Sequence, residues 1–215
     1  RVMSVSAGDL ESGFTRFPNM LAPAFSHDKQ LMYLSVLNDA FTPMLLAVNP
    51  SFLYVVYRRS PRDPSDASRT CVSLDDSSAS PAVGPDGDVY YGMLGAFSPL
   101  IGDIRRSGWM LHYTRELELS SGYHGGFGWD DTPSFVHPSS LQNYTGSSPY
   151  LLFIKFNRYI NIDGGQGDHR LAILDPFDFE LDRVGTNTRV MKTVQSILSP
   201  TPQPVNGFPN ARSEW

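Results

Sequence analysis

The sequence predicts an all-β fold built from repeated short strands. Three observations carry this prediction. No long stretch shows helical periodicity, and the best candidate, Val190–Leu198, alternates Val190, Lys192 and Val194 and reads equally well as a strand. Eighteen Gly and seventeen Pro, with no collagen period, punctuate the chain into short elements. One stretch, Ser80–Leu94, reads as strand, tight turn, strand. In it Gly84-Pro85-Asp86-Gly87-Asp88 supplies turn chemistry, and Val89-Tyr90-Tyr91 is β-branched and aromatic, which suits a half-buried pleated surface.

Alignment of the chain on that stretch exposes three copies. The first strand recurs as Ala22-Pro23-Ala24-Phe25, Ser80-Pro81-Ala82-Val83 and Thr132-Pro133-Ser134-Phe135-Val136. An early Pro fits a strand start or an edge, where no ladder donor is needed. Polar turns follow: Ser26–Lys29, Gly84–Asp88 and the longer His137–Pro149. The second strands are Leu31–Leu37, Val89–Leu94 and Tyr150–Phe156. After a long loop come the third strands: Met44–Val48 with Asn49-Pro50, Trp109–Leu117, and Leu171–Leu174 with Asp175-Pro176. Fourth strands are expected at Phe52–Tyr57, near Leu117–Leu119, and at Val190–Leu198. The repeat is roughly 50–60 residues long.

Composition bounds the rest. A 215-residue chain that is 40% hydrophobic can bury a core, and no apolar run is long enough to span a membrane. A net charge of −5, with Arg58-Arg59 and Arg105-Arg106 as the only basic pairs, argues against nucleic acid as a partner. Cys71 is alone, forms no internal disulfide and has no cysteine-enzyme signature around it.

On SPAVGPDGDVYYG, LLAVNP and LAILDP, the chain resembles the blades of the PQQ-like (quinoprotein alcohol dehydrogenase-like, YVTN/WD40-like) β-propeller repeat superfamily. The resemblance implies a partial propeller of about three four-stranded antiparallel blades within one domain, residues 1–215. The units cover about residues 16–60, 78–120 and 128–198, with stubs at 1–15 and 199–215. Phe17-Pro18-Asn19 precedes the first copy and Phe208-Pro209-Asn210 stands where another is due. The expectation is therefore an incomplete piece with both end faces bare, and with Val2–Ser6 as the outer strand of a preceding unit. Self-association or low thermal stability is expected with it.

In a blade of antiparallel strands, the long loops and the segments entering each first strand gather on one face. Two acidic pairs enter there, Asp75-Asp76 and Asp130-Asp131. Four carboxylates suit Ca²⁺, and the competing reading is that they cap turns. Asp163 and Asp168, in a Gly-rich loop, form a second candidate metal pair or simply part of a surface loop. Tyr123, His124, Phe127 and Trp129 lie on an aromatic, Gly-rich segment suited to stacking on a sugar or a partner side chain, or to burial between units. His112 alternates within a strand and reads as a core or interface residue. The five His show no metal spacing, no Ser sits in a G-x-S-x-G elbow, and Asn143-Tyr144-Thr145 matches the N-glycosylation triplet.

These features favour a non-catalytic ligand- or protein-binding scaffold, one segment of a larger propeller protein. The rival is a piece of a PQQ-type dehydrogenase or another propeller enzyme, a hydrolase or lyase. No cofactor is required: Ca²⁺ is the candidate ion, and PQQ is not expected, because Trp129, Asp130 and Asp131 are the only nearby set for a stacked, Ca²⁺-linked quinone. The expected partners are the remaining blades of the same protein or a neighbouring chain, with a small molecule, glycan or protein as ligand. A periplasmic or extracellular location is favoured.

Overall fold

The computed structural model describes residues 3–74, 77–96, 108–129, 131–157, 169–182 and 187–198. They form four antiparallel sheets, none closed on itself. The first is a meander of β1 (Ala24–Phe25), β2 (Met32–Leu37), β3 (Pro43–Val48) and β4 (Val55–Arg59). A hairpin of β5 (Arg62–Asp63) and β6 (Asp66–Thr70) follows. The second meander is β7 (Ala82–Val83), β8 (Val89–Met93) and β9 (Trp109–Tyr113). The third is β10 (Ser134–Val136), β11 (Leu151–Asn157), β12 (His169–Leu181) and β13 (Arg189–Leu198). We call the three meanders units 1, 2 and 3. No helix among the described residues is long and apolar enough to cross a membrane.

Pairing registers make the units equivalent residue by residue. Ala24 faces Tyr33, Ala82 faces Tyr90, and Ser134 faces Phe153 across the first strand pair. On the third strand the same row continues to Ala47, His112 and Ile173. The turns match as well. Asp28 Oδ1 accepts from Gln30 N at 3.1 Å, and Asp86 Oδ1 from Asp88 N at 3.0 Å. The residue after each Asp takes a positive φ, 58° at Lys29 and 94° at Gly87. After β3, Asn49 Oδ1 accepts from the amides of Ser51 and Phe52, and after β9 Thr114 Oγ1 accepts from Glu118 N, as Asx and ST turns do. In unit 3 the third strand does not end at Leu174: Asp175 Oδ1 accepts from Phe177 N and Asp178 N at a bulge, and β12 runs on to Leu181.

Each of the three meanders carries apolar residues on both faces, so the units stack. Tyr33, Leu45 and Ala47 of unit 1 pack against Val89, Tyr91, Trp109 and Leu111 of unit 2. The opposite face of unit 2, with Tyr90 and Met110, packs on Leu152, Ile154, Ala172 and Leu174 of unit 3. Main-chain amides stitch the starts of the first strands: Ala22 N donates to Ser80 Oγ at 2.9 Å, and Ser80 N to Thr132 Oγ1 at 2.8 Å.

Several expectations change. Met3–Ser6 forms no strand. Instead Ser6 caps a short helix, α1 (Ala7–Leu10), through a reciprocal box in which Ser6 Oγ accepts from Asp9 N and Asp9 Oδ2 accepts from Ser6 N. Ala7 and Leu10 of this helix, with Val5, Phe14 and Phe17, cover Leu34, Val36, Leu46 and Val48. The outer face of unit 1 is therefore not bare. Unit 2 holds three strands among the described residues, not four, because Leu119 and Gly125 make only isolated bridges to Tyr113 and Met110. The Phe208–Asn210 recurrence lies outside the described residues.

Two glycines allow one backbone to cross another where the chain around Gly128 meets β8 and β9 of unit 2. A Cβ on Gly92 would stand 1.9 Å from the Gly128 carbonyl oxygen, and one on Gly128 2.3 Å from Met110 N. Gly92→Ala should therefore lose more than about 3 kcal/mol of stability or fail to fold, because the obstacle is main chain. Gly87→Ala meets open space and strains only φ, at a cost of about 1 kcal/mol. Thermal unfolding followed by circular dichroism checks both, and equal midpoints for the two variants would refute the crossing.

Candidate binding site

The aromatic segment after unit 2 lies between two sheets. Gly125 exchanges both main-chain hydrogen bonds with Met110 of β9, while Met191 N of β13 donates to the His124 carbonyl and Tyr123 N to the Pro176 carbonyl. The segment is thus a seam that ties unit 2 to unit 3. Phe127 is buried within it, and Tyr123, His124 and Trp129 are half-buried. Tyr123 packs against Phe179 with ring centroids 5.2 Å apart.

His124 Nδ1 accepts a hydrogen bond from His112 N at 2.9 Å. Desolvation, then the neighbouring charges of His112 and Arg59, lowers the His124 imidazole from 6.5 to about 4. The ring is therefore neutral at pH 7 with its proton on Nε2, because Nδ1 is the acceptor. His112 is itself buried, stacked on Tyr90 at 4.3 Å between ring centroids, with Nε2 2.9 Å from Asp88 Oδ2. Ser120 Oγ also donates to Asp88 Oδ2, at 2.8 Å. Burial pushes the Asp88 carboxyl up, but the bonds from His112 and Ser120 outweigh it and hold the group below its usual range. Gly122 lets backbone close over the ring, since a Cβ there would lie 2.7 Å from His112 Nδ1. His112 is an interface residue, as its place in an alternating strand suggests.

The same interface holds a hydroxyl chain. Tyr150 donates to Asp86 Oδ2 at 2.8 Å, so Tyr90 donates to the Tyr150 hydroxyl at 2.7 Å. Burial pushes both phenols far above their ordinary value.

Of the acidic residues that the sequence brings forward, only Asp131 is described. It is buried, and its Oδ1 lies 4.0 Å from Lys155 Nζ. Asp75, Asp76, Asp130, Asp163 and Asp168 lie outside the described residues. Among the described residues no cluster of three His, Cys, Asp or Glu side chains is arranged to hold a metal. Cys71 is buried in an apolar setting that pushes its thiol well above the usual range, so it is no nucleophile at neutral pH.

Unit 3 also carries an open cleft that sequence spacing does not predict. A cleft of 530 Å³ lies between the 138–146 loop and β13, lined by Gln142, Asn143, Tyr144, Val194 and Gln195 among others. A second, of 350 Å³, shares Asn143, Tyr144 and Val194 with it and reaches Asp178 and Lys192, which pair at 2.6 Å. Tyr144 is held in place because its hydroxyl donates to the buried Asp175 at 2.6 Å, and Ser148 Oγ donates to the other Asp175 oxygen. The first cleft offers amides and hydroxyls for hydrogen bonding, and the second adds the Asp178–Lys192 ion pair. Asn143 of the glycosylation triplet is exposed at the rim. The one sequence signal for the cleft is Asp175: a carboxylate where unit 1 has Asn49 accepts further hydroxyl donors from the loop. Compared with protein-family models, curated proteins and solved structures, the chain matches none.

The His124 shift has a definite sign. A folded value of about 4 below an unfolded value of 6.5 gives stability that is fully present above pH 6.5 and is lost as pH falls through about 4. The part of this lost between pH 7.5 and 4.5 is roughly 2–3 kcal/mol. In urea unfolding between pH 7.5 and 4.5, His124→Gln, which keeps an acceptor for His112 N, should flatten the acid limb by that amount. An acid limb unchanged in the variant would refute the assignment.

Proposed function

We propose that this chain is a non-catalytic binding scaffold built as an arc of propeller-like blades. The observation that carries the reading is the repeated stitch. Ser80 Oγ and Thr132 Oγ1 stand at matched positions, each before the Pro that opens a first strand, and each accepts an amide from the preceding unit. Such a contact arises when equivalent sheets are related by one repeated rotation with their first strands gathered together, as in a propeller. The support for a non-catalytic role is chemical. The buried His112–Asp88 pair is walled in by Gly122 and Tyr90, the Cys71 thiol is desolvated, and the carboxylate and amine that reach the clefts of unit 3, Asp178 and Lys192, are paired with each other at 2.6 Å.

Stacked repeats gain stability from nearest-neighbour interfaces. Thr132→Val, which removes the acceptor for Ser80 N, should cost about 1 kcal/mol. Native-state hydrogen exchange should place the loss in units 2 and 3, with the unit 1 amides of β2 and β3 unchanged. Thr132→Ser should restore wild-type protection. Uniform loss across all three units, or none, would remove the repeated interface from the account.

A further inference from the structure

We infer that the open face of unit 3 is a self-association surface that takes the same face of a second copy of this chain. The starting point is one row of the sheet. Tyr33, Tyr90 and Phe153 occupy the same register position in units 1, 2 and 3. The first two are 0% exposed, each covered by the next unit, whereas Phe153 is 40% exposed. Its cross-strand neighbour Ile173 and, one pair further on, Leu171 and the 56%-exposed Ile197 extend the face. Lys155 stands in the same row pattern with its Nζ 4.0 Å from Asp131 Oδ1, and Gln195 beside Ile173 gives the apolar patch a polar rim. The stitch also stops here. Ala22 N and Ser80 N each reach a hydroxyl of the next unit, while Thr132, next in that series, is exposed.

This surface continues two interfaces already formed inside the chain, which identifies a sheet face as its occupant. Two observations identify that sheet as another copy's unit 3. A head-to-tail contact needs the outer face of unit 1, and α1 with Val5, Phe14 and Phe17 already covers it. The side chain at the shared position also differs. Tyr33 donates to the Arg115 carbonyl at 3.0 Å and Tyr90 to the Tyr150 hydroxyl at 2.7 Å, acceptors that the next unit supplies. Phe153 has no hydroxyl and needs only apolar surface, which an identical Phe153–Ile173–Leu171 face provides. A twofold contact of this kind is isologous and closes at a dimer.

The inference rests on the stacked-unit reading, and its test is independent of the stitch variant above. The full chain is compared with Phe153→Asp and, as a control on another exposed aromatic, Phe52→Asp, by size-exclusion chromatography with light scattering across micromolar concentrations. The expected result is a wild-type mass near twice that of one chain, a single-chain mass for Phe153→Asp with unchanged far-ultraviolet dichroism, and a dimer for Phe52→Asp. Ile173→Lys provides a second disruption should Phe153→Asp fail to fold. A wild-type monomer throughout the range, or a dimer that survives both substitutions, overturns the inference. A higher oligomer that breaks only with Phe52→Asp assigns association to the β4 edge instead. Loss of the dimer with the exchange pattern of Thr132→Val intact leaves the stacked-unit reading standing, so the two proposals fail separately.

Discussion

The structure depends on one constraint: the sheets of its three meanders carry apolar residues on both faces. A sheet with one wet face can stand alone against a helix layer, but one with two dry faces must be sandwiched. Leu34, Val36, Leu46 and Val48 on one side of unit 1 and Tyr33, Leu45 and Ala47 on the other leave no side for water. Unit 2 therefore packs on one side, and the N-terminal segment closes the other. The helix in that segment is only four residues long, so it gains little from its own hydrogen bonds. Its Ser6–Asp9 box and the burial of Ala7 and Leu10 hold it, and in return it seals a face that would otherwise need another sheet.

Polar groups at the interfaces follow from the same stacking. Once two sheets meet face to face, a hydroxyl or imidazole between them is stabilised by a partner found there. Between units 2 and 3 this gives the Tyr90–Tyr150–Asp86 chain and the His112–Asp88–Ser120 cluster. Both carboxylates come from the Gly84–Asp88 turn. The turn thus reverses the chain, through Asp86 Oδ1 and Gly87, and supplies acceptors to the neighbouring sheet through Asp86 Oδ2 and Asp88 Oδ2. That double use explains why a turn so regular in sequence is the anchor of the repeat.

Much of this architecture is legible in the chain before any coordinates. The small-Pro-small-apolar starts, the Asp-containing turns and the third strand ending before Asn49-Pro50 mark local chemistry, and local chemistry is what sequence spacing reports, whereas Asp175-Pro176 marks a bulge through which β12 continues to Leu181. Val190–Leu198, ambiguous between helix and strand, becomes β13 because β12 offers it a ladder. What sequence could not give depends on distant partners. Val2–Ser6 resembles a strand, but Ser6 and Asp9 find each other first, and α1 lands on unit 1. The hairpin of β5 and β6 is held by Asp63, whose Oδ2 accepts from Ala96 N at 2.7 Å, a contact across 33 residues. The cleft beside β13 needs the long 138–146 loop to fold back over Asp175, which no spacing predicts.

The aromatic Gly-rich segment shows how one signal serves two readings. Tyr123–Trp129 carries the residue types of a stacking surface, yet its glycines work against an exposed role. Gly125 pairs with Met110 across unit 2, and Gly128 slides over Gly92 where no side chain fits. A backbone that must pass this close to another has to be stripped of Cβ atoms on both strands. The segment replaces a fourth strand for unit 2 with a two-sided seam, bonded to β9 on one side and to β13 on the other. The reduced strand count of unit 2 and the burial of Phe127 are therefore one fact: the residues that would have formed an outer edge join units 2 and 3 instead.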